Sequence, residues 1–125
     1  MKRDKIDRVY SELIRERADW TCERCGRVFP IGHRVGLHCS HHYSRRHTRL
    51  RWHVDGASAH CAGCHKYLGG NPIEFRDWIM DKLGEGRFQM LIERKNDTRI
   101  KDSRADEEDL YKHLKNELET MRRKR

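Results

Sequence analysis

The stretch LHCSHHYSRRHTRLRWHVDGASAHCAGCHK, Leu37 to Lys66, holds seven of the chain's nine histidines, three of its five cysteines and the basic run Arg45, Arg46, Arg49 and Arg51. Imidazoles and thiols are costly to bury without partners, so a cluster this dense asks for metal coordination, haem attachment, catalysis or polyanion binding. Its C-terminal end decides the fold. Cys61 and Cys64 form a C-x-x-C pair that repeats the spacing of Cys22 and Cys25. Such a turn presents two thiolates to one side of an ion, and two turns complete the tetrahedron that zinc prefers. A structural zinc held by Cys22, Cys25, Cys61 and Cys64 is therefore expected. The 35 residues between the pairs become an insertion whose base the metal ties together. Cys39 is left over and reads as a buried strand residue rather than a fifth ligand.

The same end, CAGCH from Cys61 to His65, also has the pattern of covalent c-type haem attachment. That reading requires export and an apolar pocket wall, and it leaves Cys22 and Cys25 without a task. The first twenty residues, MKRDKIDRVYSELIRERADW, are charged throughout, so neither a signal peptide nor a membrane span is expected. A cytoplasmic protein is the expectation, and there paired thiols bind metal more often than they form disulfides.

With 125 residues, of which 35% are hydrophobic, the chain is expected to form one domain with a small core that a metal helps to hold. The formal charge of +8 points to a polyanionic partner, nucleic acid before others. The C-terminal RRKR run reads as a frayed tail with non-specific phosphate affinity.

Outward from the cluster, Ile6, Val9, Tyr10, Leu13 and Ile14 have the spacing of an amphipathic helix over residues 5–18. A knuckle-like turn, TCERCGRVF, follows, with Val28 and Phe29 in a short strand. Two strands are expected at VGLHCSHHY and LRWHV, joined as a hairpin by the basic loop SRRHTR. CAGCHKYL passes into a short helix that stops at Gly69 and Gly70. Asn71, Pro72 and Glu74 form a capping pattern for a helix with Phe75, Trp78, Ile79 and Leu83 on its apolar face. The glycines at 84 and 86 break that helix before a short segment containing Phe88, Leu91 and Ile92. The charged stretch ERKNDTRIKDSR leads to a last helix from about Ala105, whose Leu110, Leu114, Leu118 and Met121 read as packing surface before a dimer seam. The division is an N-terminal helix (1–20), a zinc-bound core (21–83) and a helical extension (84–125), α+β in class.

Taken in order, the C-x-x-C pair, the histidine-bearing strand, the hairpin and C-x-x-C-H resemble the HNH nucleases of the ββα-metal fold. LHCSHHYSRRHTRLRWHVDGASAHCAGCHKYLGGNPIEF more narrowly resembles the NinG (Rap) recombination endonucleases of lambdoid phages, over about Cys22 to Phe75. The resemblance implies a zinc-stapled ββα-metal core with flanking helices that cleaves DNA, using Mg²⁺ or Mn²⁺, in phage recombination. It also implies DNA partners that include branched or single-stranded forms, and a recombinase partner. In such nucleases a strand histidine is the general base and a helix histidine holds the ion. This makes His41 the base, and His65, with His42, the ligands of the catalytic ion. The adjacent pair also resembles colicin-type nucleases, a register in which His42 is the base and His41 a ligand, so both belong near the site. Arg45, Arg46, His47, Arg49 and Arg51 are the candidate DNA contacts, with Arg45 and Arg46 foremost.

Two departures qualify the resemblance. Gly56 stands where the family has its middle Asn, so Asp55 or Ser58 must fix the hairpin, and Ser40 replaces the acidic neighbour of the base. They favour a second class of function, a non-catalytic zinc-dependent DNA-binding regulator or recombination accessory protein. His33, His53 and His113 read as surface or hairpin residues, His38 and His60 as packing residues before site residues, and Trp52 as packing.

Overall fold

The computed structural model describes residues 4–100 and 104–125, so residues 101–103 of the charged stretch lie outside the described residues. Five helices and one two-stranded sheet follow in the order α1 (Lys5–Arg17), β1 (Leu37–His41), β2 (Ala57–Cys61), α2 (Ala62–Gly69), α3 (Pro72–Leu83), α4 (Glu85–Asn96) and α5 (Arg104–Arg123). The α+β class expected from the sequence holds.

The amphipathic stripe of α1 forms as its spacing requires: Ile6, Tyr10, Leu13 and Ile14 are buried against the sheet and α5. The Asp4 amide donates to the Asp7 carboxylate at 2.8 Å and closes the first turn. Leu114 and Leu118 of α5 join this core, which uses the stripe of the last helix for packing within the chain. The basic C-terminus is engaged as well: α5 reaches Arg123, Arg122 lies 3.2 Å from Glu12, and Arg125 lies 2.6 Å from Glu16 on α1. A second, smaller core gathers Leu50, Ile79, Leu83, Phe88 and Leu91 where α3 and α4 meet the loop between the strands.

The second strand is not LRWHV. Strand β2 is Ala57–Cys61, antiparallel to β1 in the register Leu37↔Cys61, His38↔His60, Cys39↔Ala59, Ser40↔Ser58 and His41↔Ala57. The apolar letters of LRWHV are spent on different partners: Leu50 enters the second core, while Arg51 and Trp52 turn toward α1. Both of the latter bond Asp7, Arg51 through Nε at 3.0 Å and Trp52 through Nε1 at 2.8 Å. Burial pushes the Asp7 carboxyl up, but these bonds, the Asp4 amide and the charge of Arg51 leave it below the usual carboxylate value. Tyr10 Oη donates to the His53 carbonyl at 2.6 Å and fastens the same loop to α1.

Two smaller expectations also change. Asn71 does not cap α3 with its side chain; its Nδ2 donates to the Tyr67 carbonyl at 2.7 Å and closes α2 instead. The break at Gly84 is a single residue with φ of 83°, so the segment beyond it is a full helix, α4. Among the described residues no helix is long and apolar enough to cross a membrane.

Candidate metal centre and histidine site

The cysteine corner is built by three elements. Gly26, with φ of 80°, turns the first pair, and its amide donates to the Cys22 carbonyl at 2.9 Å. This turn is pinned to the sheet because Glu23 exchanges two bonds with Ala59, N to O at 2.8 Å and Oε2 from N at 2.7 Å. β2 then delivers Cys61, which is also the N-cap of α2: its Sγ accepts from the Cys64 amide at 3.4 Å. The ligand atoms of Cys22, Cys25, Cys61 and Cys64 all lie within 4.8 Å of one another. Sulfurs bonded to zinc at about 2.3 Å in a tetrahedron stand about 3.8 Å apart. The Cys25 and Cys61 sulfurs are 3.8 Å apart. The donor set and its spacing thus fit a zinc ion.

The surroundings act on two of the thiols in opposite directions. Burial raises Cys22, but backbone bonds from Cys25, Cys61 and Arg24 outweigh it and bring the thiol down to about 7. Arg24 Nη1 donates to Cys64 Sγ at 3.4 Å, a charge-assisted bond that the sequence reading missed. Cys64 is nevertheless pushed up to about 12, by burial first and, against the Arg24 bond, by the neighbouring Cys61 and Cys22.

The histidines divide between the two faces of the hairpin. His41 lies on the α1 face, its ring 5.7 Å from that of Tyr10. It lines a cleft of about 360 Å³ with Asp7, Ser11, Arg34, His38 and Arg45 among its walls. Its Nε2 is 3.3 Å from the Arg51 carbonyl, which only accepts, so Nε2 carries the proton and Nδ1 keeps its lone pair. Burial first, then the charges of Arg45 and Arg51, hold His41 below the usual imidazole value despite the Arg51 carbonyl and Asp7.

His42, one residue on, is 5% exposed and packs edge-on to Phe75 and Trp78 of α3. Its Nδ1 donates to the Asp55 carbonyl at 2.8 Å and its Nε2 meets Ser58 Oγ at 2.6 Å. Both ring nitrogens are occupied, which leaves neither position for an ion or a reacting water. Burial, with the charge of Lys82 next, drives its pKa down to about 3. Asp55 and Ser58 thus hold this histidine from either side of Gly56. A Cβ at Gly56 would stand 2.3 Å from the Leu50 carbonyl, too close for an asparagine without backbone movement.

His65 projects from α2, and its Nδ1 lies 3.0 Å from Nδ1 of His38 on β1. His38 was expected to pack rather than to reach the site. His60, opposite His38 across the strands, is 0% exposed and neither of its nitrogens has a protein partner. The same holds for the buried Ser40 hydroxyl.

The basic residues separate in a similar way. Arg46 is exposed and Arg45 is half-buried, 3.8 Å from Asp7. His47 stacks edge-on to Tyr43 at 6.2 Å. Arg51 is 7% exposed and sealed by Asp7, and Arg49 donates to the carbonyls of Ile100 and Lys95. These two act as braces of the loop rather than as free DNA contacts. A hollow of about 790 Å³ beside α4 contains none of the predicted catalytic histidines.

A small α+β protein with a four-thiol metal corner and histidines arrayed on the adjoining hairpin and helix is the class that the fold and site define. A family model described as Bacteriophage Lambda NinG protein matches residues 2–124, and the chain belongs to this family. No curated protein and no solved structure matches the chain.

Proposed function

We propose that this protein is a metal-dependent DNA endonuclease of the HNH kind, acting in phage recombination, with His41 as general base and His65 as a ligand of a divalent ion, Mg²⁺ or Mn²⁺. The observation that carries the reading is His41 itself: a histidine with one nitrogen fixed by a backbone carbonyl and the other unpartnered, opening onto a cleft with cationic walls. The strand, strand, helix order and the family membership support it. A bound divalent ion supplies charge stabilisation on the scissile phosphate and on the leaving oxygen.

The chain's own residues do the rest. His41, neutral at pH 7 because its pKa is lowered, accepts the proton of the attacking water at Nδ1. Arg45 and the exposed Arg46 hold the phosphate backbone beside the cleft. Arg51, fixed by Asp7, keeps the carbonyl that orients His41 in place. The cysteine corner fixes β2 and α2 relative to each other, and so the direction of His65.

The test is cleavage of supercoiled plasmid and of a synthetic four-way junction by zinc-loaded protein, with and without added Mg²⁺ or Mn²⁺, beside His65→Ala. Nicking that requires the added ion and disappears in the variant supports the reading. A variant that cuts as well as the parent overturns His65's role. A second reading, a DNA-binding accessory protein without catalysis, draws on the sealed His42 and on Ser40 and Gly56 at family positions. DNA bound but never cut, with every ion tried, would favour it.

A further inference from the structure

We propose that His38 joins His65 as the second protein ligand of the divalent ion, and that the pair favours first-row transition ions, Co²⁺ before Mn²⁺, over Mg²⁺. The ion's catalytic task rests on the nuclease reading; its binding does not.

The register of the sheet makes the pair. Leu37 stands opposite Cys61, so His38 lies one residue inside β1, beside the point where β2 turns into α2. His65 follows the zinc ligand Cys64 directly, so the cysteine corner anchors the helix that carries it. The two imidazoles therefore come from different elements onto one metal-fastened joint, with Nδ1 atoms 3.0 Å apart.

The tautomer of His38 is fixed. Its Nε2 lies 2.9 Å from the Val35 carbonyl, an acceptor only, so the proton sits on Nε2 and the Nδ1 lone pair is directed at His65. A ring nitrogen donating to a carbonyl while the other is free is the usual arrangement of a metal-ligating histidine. Two nitrogens bound at about 2.1 Å and at right angles stand about 3.0 Å apart, so an ion fits the pair with little movement. Without an ion the His65 Nδ1–H donates into the same lone pair; on binding, His65 takes the Nε2–H tautomer and offers its Nδ1 lone pair to the ion.

His60, opposite His38 in the register of the sheet, adds a third imidazole beside the pair. His60 is enclosed, and neither of its nitrogens has a protein partner. His38 also lines the cleft that His41 opens onto. His42, by contrast, has no nitrogen to give. Imidazole suits the later first-row ions, with affinity rising from Mn²⁺ through Co²⁺ to Ni²⁺, whereas Mg²⁺ prefers oxygen and surrenders water reluctantly.

The experiment titrates the zinc-loaded full chain with Mn²⁺. Electron paramagnetic resonance follows free Mn²⁺, and ¹⁵N NMR of the imidazoles shows which rings the bound ion broadens. The expected result is one site, with His38 and His65 broadened first and at least tenfold weaker binding in His38→Ala and in His65→Ala. His113→Ala on α5 should bind as the parent does, and Mg²⁺ should compete poorly. Broadening of wild-type signals needs no variant, so a misfolded His38→Ala does not spoil the test. Binding at His41 or His42 instead, or binding unchanged in both pair variants, would overturn the proposal. Mn²⁺ bound at the pair with no DNA cleavage would support the site and overturn the nuclease reading. Cleavage with unaltered Mn²⁺ affinity in His38→Ala would overturn the pair and leave the nuclease standing.

Discussion

The two faces of the hairpin carry histidines of opposite character. On the α1 face, His41 borders an open cleft and keeps one ring nitrogen unpartnered; on the α3 face, His42 and His60 are sealed under Phe75 and Trp78. Successive side chains of an extended strand point to opposite sides, so the pair His41-His42 is split by geometry although adjacent in the chain. Adjacency in sequence therefore does not make a shared site. The cysteine corner, fitted to hold a zinc ion, lies where β2 passes into α2 at the end of the hairpin.

Removing zinc is expected to have the largest effect, because it releases β2, α2 and the first cysteine turn together. Structural zinc binding contributes on the order of 10 kcal/mol to folding in small domains, so a strong chelator or Cys61→Ser should abolish the cooperative thermal transition and blur both faces at once. Retention of the native circular dichroism spectrum without metal would separate the faces from the zinc corner.

Next comes the α1 face. Asp7→Asn leaves Arg51 buried without its carboxylate, and breaking a buried pair costs about 3 kcal/mol. Urea denaturation should show this loss, together with lower activity, because the carbonyl that orients His41 belongs to Arg51. An unchanged midpoint would mean that the face does not depend on this pair.

The α3 face should answer to pH. Burial lowers His60 from 6.5 to about 4, so the unfolded chain takes up a proton that the folded chain refuses. Stability is full above about pH 6.5 and is lost as pH falls toward 4, by up to about 1.4 kcal/mol per unit for this group. His60→Leu should flatten that slope in thermal melts between pH 7 and 4.5. If the slope is unaltered, His60 is not the group that senses acid.

The sequence made one part of the architecture plain. Two identical cysteine spacings name the four thiols that converge, and the stripes of α1, α3 and α5 were readable because burial on one side imposes a helical period. Strand β2 was not readable: Ala57, Ser58 and Ala59 are small residues with little strand preference, placed there because the strand is buried on both faces. Without that register, His38 could not be placed against His65, nor His42 recognised as sealed. Arg49 and Arg51 read as DNA contacts because charge in a loop usually faces water. Their carbonyl and carboxylate partners lie on segments more than forty residues away.

The most direct test of the division between the faces compares His41→Ala with His42→Ala in the nicking assay, each alongside its melting curve and DNA affinity. The account predicts that His41→Ala folds, binds DNA and loses metal-dependent nicking, whereas His42→Ala loses activity only to the extent that it loses stability. A His41→Ala protein that still nicks, beside a stable His42→Ala protein that does not, would contradict it.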